Sequence, residues 1–123
     1  MKILKSLALA AALATTTPAF AHSPKIGANG GPQTDAGALH VEVVAKGKAL
    51  TVFLRDHSDN TVSTNEYKGT AIFVVDGKPQ RISLTPAGEN KLSGTADVEL
   101  PNEPKGAVQL TMPKGPTVQA KFN

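Results

Sequence analysis

Cysteine and tryptophan are both missing from this chain, tyrosine occurs once, at Tyr67, and phenylalanine four times. Without thiols there is no disulfide framework and no thiolate site, so stability has to come from an apolar core. So few aromatics leave little of the stacking platform on which carbohydrate- and nucleic-acid-binding modules rely. An excess of one charge is missing as well. The net charge is +3, and Lys2 and Lys5 account for two of those charges, leaving +1 for the rest. That balance, with no long basic run, argues against nucleic acid as a partner and offers no polybasic patch to a membrane surface. The one leading apolar run, Ile3 to Leu13, is too short to span a bilayer.

That run has the grammar of a secretory leader. Lys2 and Lys5 supply the positive charge at its amino-terminal side, and Ala19-Phe20-Ala21 supplies the small-x-small pattern behind which signal peptidase cuts. Residues 1–21 therefore read as a cleaved signal peptide, and the exported protein begins at His22, with no membrane span left after processing. A terminal histidine carries an α-amine and an imidazole on one residue, two nitrogen donors that lose their protons near neutrality. Pro24 stands at the third exported position, which excludes copper binding through successive backbone amides and a third-position histidine. A metal at this terminus is held by the amine and the ring of His22, and binding weakens as pH falls below about 6.

From Ser23 to Gly37 the chain is rich in Gly, Pro, Asn and Gln and shows no apolar periodicity, so residues 22–37 read as a flexible arm. Alternation then takes over. Leu39, Val41 and Val43 face one way and His40 and Glu42 the other; after a turn near Lys46-Gly47, Leu50, Val52 and Leu54 resume the apolar face. Thr70 to Val75 and Gln80 to Thr85 form a second hairpin around Asp76-Gly77, a pair suited to a tight turn with positive φ. Lys91 to Leu100 predicts a strand with a bulge or close approach at Gly94. Val108, Leu110 and Met112 make another, and Val118, Ala120 and Phe122 the last. Thr61 to Thr64 is a candidate short edge strand. Residues 38–123 thus predict an all-β domain, a single small antiparallel β-sandwich of 7–8 strands or a partly open barrel.

All three histidines, His22, His40 and His57, lie in the first half of the chain. His40 and Glu42 share the polar face of one strand, and His57 continues the parity of Thr51, Phe53 and Arg55 on the next. Two hairpin registers keep the apolar faces together. With Lys46-Gly47 as the loop, His57 sits about 13 Å from the residue opposite His40. With Gly47-Lys48 as the loop, Arg55 is opposite His40 and the histidines are diagonal neighbours about 7–8 Å apart at Cα. Glu42, Asp56 and Asp35 are the carboxylates within reach. Two or three nitrogen donors with a carboxylate suit Cu(II) or Zn(II). The competing reading makes His57 a solvated turn residue and His40 a cross-strand partner of Phe53.

The runs Asn29-Gly30-Gly31, Asp35-Ala36-Gly37 and Leu39-His40-Val41-Glu42-Val43-Val44, with Asp56-His57 closing the next strand, resemble a motif of periplasmic heavy-metal resistance proteins. They are also similar to a β-rich accessory domain of metal-efflux adaptor subunits. Lys68-Gly69-Thr70-Ala71 and the stretch from Leu84 to Leu92 extend the resemblance over most of the exported chain. The pattern's first histidine is Asn29 here, so either the site is degraded or His22 replaces the missing ligand from upstream. The resemblance implies a periplasmic protein that buffers copper or zinc or hands it to an efflux adaptor or another envelope protein. Its expected ligands are His40 and His57, Glu42 as a ligand or the group that orients one, and His22 as a third donor. No catalysis is required of such a site. The alternative expectation is a periplasmic protein-interaction module of an efflux or envelope complex, without a metal role.

Overall fold

Alternating side chains decide the architecture. In the computed structural model, which describes residues 25–123, every strand with an apolar face turns it to a common interior. The strands are β1 (Lys25–Ile26), β2 (Pro32–Ala36), β3 (Leu39–Lys46), β4 (Ala49–Asp56), β5 (Lys68–Val75), β6 (Lys78–Pro86), β7 (Lys91–Thr95), β8 (Lys105–Thr111) and β9 (Thr117–Phe122). They pair antiparallel in the order β1-β2-β3-β4-β7-β6-β5-β8-β9. This single sheet curls until β2 and β9 lie against each other without a hydrogen-bonded ladder between them. The all-β expectation holds in its partly open barrel form, with nine strands and no helix among the described residues. The leader and His22 lie outside the described residues.

The interior is built as the alternation predicts. Val41 and Val43 of β3, Leu50, Val52 and Leu54 of β4, and Leu92 of β7 have no exposed surface, and Phe73, Val108 and Leu110 complete the core from β5 and β8. Each such side chain contributes roughly 1.5–3 kcal/mol on burial. Phe73 and Phe122 meet edge to face with centroids 6.2 Å apart, a favoured aromatic geometry. Asp76-Gly77 form the expected turn, with φ of 52° and 78°. Gly94 is the expected close approach, since a Cβ there would collide with the Ser83 carbonyl oxygen.

Three segments depart from the sequence reading. The strand at Lys91 ends at Thr95 rather than Leu100. Beyond it the Ala96 and Leu100 N–H groups donate to the carbonyls of Lys48 and Gly47, so the chain wraps over the β3–β4 turn. Thr61 makes only an isolated bridge to Arg55 in place of an edge strand. From Lys25 onward the residues read as an arm form β1, a turn and β2.

The order in that last segment comes from Glu42. Its place on β3 faces away from the core, yet it is 1 % exposed because the Gly27–Gly31 turn covers it. The Asn29 N–H donates to its carboxylate (2.9 Å to Oε2), the Gly31 N–H donates to the same oxygen at 2.8 Å, and Asn29 Nδ2 donates to Oε1 at 3.1 Å. Gly27 is required for this closeness, since a Cβ there would collide with the Glu42 side chain. A buried carboxylate thus gains the hydrogen bonds that burial demands.

Candidate metal centre

The register of two adjoining hairpins positions the site. In the first, Gly37 and Ala38 are the two loop residues, Ala36 pairs with Leu39, and Asp35 lies directly opposite His40. Gly37 takes φ of 58°, suited to the first central position of a two-residue hairpin turn. In the second, Lys46 pairs with Ala49 and His40 with Arg55, so the loop is Gly47-Lys48. This is the register that makes His40 and His57 diagonal neighbours.

His57 follows directly on the end of β4, and the turn after it is fixed by Asp56. The Asp56 carboxylate accepts from the N–H groups of Ser58 and Asn60, each at 2.9 Å. The Asp56 N–H in turn donates to the Asn60 carbonyl. His57 is thereby held against the β2–β3 turn, where its Nε2–H donates to the Gly37 carbonyl at 3.1 Å.

The two imidazoles meet with centroids 4.5 Å apart and planes at 63°. His40 Nδ1 lies 2.7 Å from Asp35 Oδ1. One donor atom each from Asp35, His40 and His57 falls within 4.8 Å of the others. The His40 side chain is 12 % exposed and that of Asp35 61 %, so the trio has one sheltered wall and one open to solvent.

The hydrogen bonds settle which ring nitrogens are free. A carbonyl only accepts, so His57 carries its proton on Nε2 and, when neutral, presents a lone pair at Nδ1. An ionised Asp35 likewise accepts from His40 Nδ1–H, leaving the lone pair of His40 at Nε2. The carboxylate then orients the ring in the manner common to metal-binding histidines, and its second oxygen remains available. A tetrahedral ion with ligands at about 2.0–2.1 Å holds its donors roughly 3.4 Å apart. Donor atoms within 4.8 Å of one another have to close by no more than about 1.4 Å to reach that spacing.

Of the residues the sequence singled out, His40 and His57 converge here. Glu42 does not join them, because its carboxylate is held by the Asn29–Gly31 amides. Asp35 takes the carboxylate place instead. It was within reach in the sequence, and the turn pair Gly37-Ala38 that sets it opposite His40 was the signal for it.

Asp56 also stays with its own turn. Its pKa is held below the usual carboxylate value, first by the hydrogen bond from the Asn60 backbone and then by those from Ser58 and the Asn60 side chain; the nearby His40 adds to this and partial burial opposes it. A depressed folded-state pKa stabilises the fold above the ordinary value of 3.8, and this contribution is lost as pH falls through the lowered value. Asp56→Asn keeps an oxygen for the turn but not the charge. Its thermal melts are expected to fall below those of the wild type at neutral pH and to converge with them in acid. A gap that stays constant down to about pH 2 would contradict this assignment.

Comparison with protein-family models, with curated proteins and with solved structures finds no match to this chain.

Proposed function

We propose that this protein binds one divalent transition-metal ion, copper first and zinc next, through His40, His57 and Asp35. Its role would be to buffer the ion in the periplasm or to deliver it to a metal-efflux adaptor or other envelope protein. The observation that carries this reading is the convergence of three donor atoms from two hairpins within 4.8 Å of one another. Two imidazoles and a carboxylate form a borderline donor set that favours Cu(II) over the other divalent ions of its row. The leader-like run at residues 1–21 supports export, and the likeness of the His40, Glu42 and Asp56-His57 pattern to heavy-metal resistance proteins supports the delivery role.

His22 fits the same reading as an additional donor.

The test is calorimetric titration of the purified, processed protein with Cu(II) and Zn(II) at neutral pH. One-to-one binding with submicromolar Kd, weakened when a residue is added ahead of His22, is the expected result. Affinity no greater than that of an isolated surface histidine would overturn the reading and favour the metal-free interaction module.

A further inference from the structure

A hollow of about 380 Å³ opens beside His40, lined among others by Lys25, Gly27, Gln33, Arg55 and Asp59. That volume lies at the small end of the roughly 300–1,000 Å³ typical of ligand pockets. Two of its walls are cationic side chains that pair with no carboxylate among the described residues. Ion pairs among the described residues join His40 to Asp35 and Lys91 to Glu89, so neither Arg55 nor Lys25 has a carboxylate within ion-pairing distance there.

Arg55 carries the more specific observation. Its Nη1 donates to the Asp59 carbonyl at 2.9 Å, which fixes the plane of the guanidinium. Its Nε–H is buried and has no hydrogen-bond partner among the described residues. Buried N–H groups in folded proteins are nearly always paired. With Nη1 committed to the turn, the edge formed by Nε and Nη2 is the unused part of the group. That edge is a planar fork whose two parallel N–H bonds match the two oxygens of a carboxylate or a phosphate. Lys25 supplies a second positive charge as a mobile point donor, and Gln33 offers an amide that donates or accepts.

We propose that this hollow is a binding site for a small oxyanion, a carboxylate or a phosphate, gripped by the Nε–Nη2 edge of Arg55 and neutralised further by Lys25. Asp59 lines the same hollow and opposes the anion electrostatically. Its backbone, however, is what orients Arg55, so the turn serves the site even where its charge does not. The site is distinct from the metal cluster but shares His40 as a wall. An anion bound here therefore lies beside the ring that presents its free nitrogen to the ion.

The experiment uses metal-free protein, so its outcome is independent of whether the cluster binds metal. Sodium acetate and, separately, inorganic phosphate are titrated at constant ionic strength, with chloride as the balancing salt, while 1H–15N spectra follow the Arg55 Nε–H and the backbone amides of Gly27 and His40. The expected result is a saturable shift of these resonances with at least one of the two anions at low-millimolar concentration. The tighter of the two names the chemistry of the natural ligand. Arg55→Gln is expected to weaken binding at least tenfold. Arg55→Lys, which keeps the charge but loses the fork, should weaken it several-fold, and both variants should retain the wild-type backbone spectrum elsewhere. Lys25→Gln, at an exposed position, provides a control that leaves the fold untouched and should also weaken binding several-fold. Shifts that rise linearly without saturating, that chloride reproduces, or that persist in Arg55→Gln would overturn the proposal.

Discussion

Glu42→Ala is expected to lower the unfolding free energy by about 3 kcal/mol, the largest effect of any polar substitution outside the core. The carboxylate accepts from two backbone N–H groups and one side-chain amide while itself 1 % exposed. Hydrogen bonds to a charged group contribute about 1.5–3 kcal/mol each, and a buried N–H left without a partner costs about 1–3 kcal/mol. Water entering the space left by the side chain recovers part of that sum, which is why the expectation is about 3 kcal/mol rather than more. For a domain of this size each kcal/mol moves Tm by roughly 4–8 °C, so Tm should fall by about 12–24 °C. Glu42→Gln keeps the shape but sets an NH2 group against one of the donors, and should cost about half as much. Urea unfolding and thermal melts followed by circular dichroism measure both. A loss under about 1 kcal/mol for Glu42→Ala would show that the Gly27–Gly31 turn is held by something other than this carboxylate.

The second large effect is on metal affinity. Replacing His40 and His57 together by alanine removes both nitrogen donors and leaves Asp35, an exposed carboxylate, which holds Cu(II) no better than any other surface acid. A rise in Kd of at least about a hundredfold is expected, equivalent to about 2.7 kcal/mol. Each single replacement should account for most of that loss, because ligands of one ion act as a unit and their effects do not add. Asp35→Asn should cost about 10–100-fold, since its amide oxygen still accepts from His40 Nδ1–H but brings no charge. None of these changes touches the core, so the melting temperature of the metal-free variants should stay close to that of the wild type. A loss of stability with metal affinity unchanged would instead identify the trio as a purely structural link between the two hairpins.

How much of this was legible in the sequence depended on what the residues had to satisfy. The β3–β4, β5–β6 and β8–β9 hairpins could be read because one face of each strand is apolar and one-residue slips would expose it. The β3–β4 register could not be read from that pattern, because a shift by one whole loop position keeps the same faces inside. Gly47 did not decide between the two registers, because a glycine with positive φ (61° here) suits either central position of a two-residue turn. β2 was hidden because Pro32–Ala36 has almost no apolar alternation. It forms on the hydrogen-bonding edge of β3 and is tied down by Glu42, a long-range contact that no local pattern encodes. For the same reason Glu42 looked like a ligand: a carboxylate two positions from a histidine on a polar face is consistent with either role until the Asn29–Gly31 amides are seen on it. The segment after Thr95 kept its alternation but lost its ladder, since burial of Ala96 and Leu100 is met equally well by wrapping the β3–β4 turn.

The proposed ion sits between His40 and His57, on the two nitrogens that their hydrogen bonds leave free. This placement is tested most directly by long-range 1H–15N spectra of the histidine rings as Zn(II) is added to one equivalent. His40 Nε2 and His57 Nδ1 are expected to shift together and saturate at one ion per chain, while His57 Nε2 keeps its proton and its bond to Gly37. Ring signals that stay unchanged through that addition, or that move for only one of the two histidines, would contradict it.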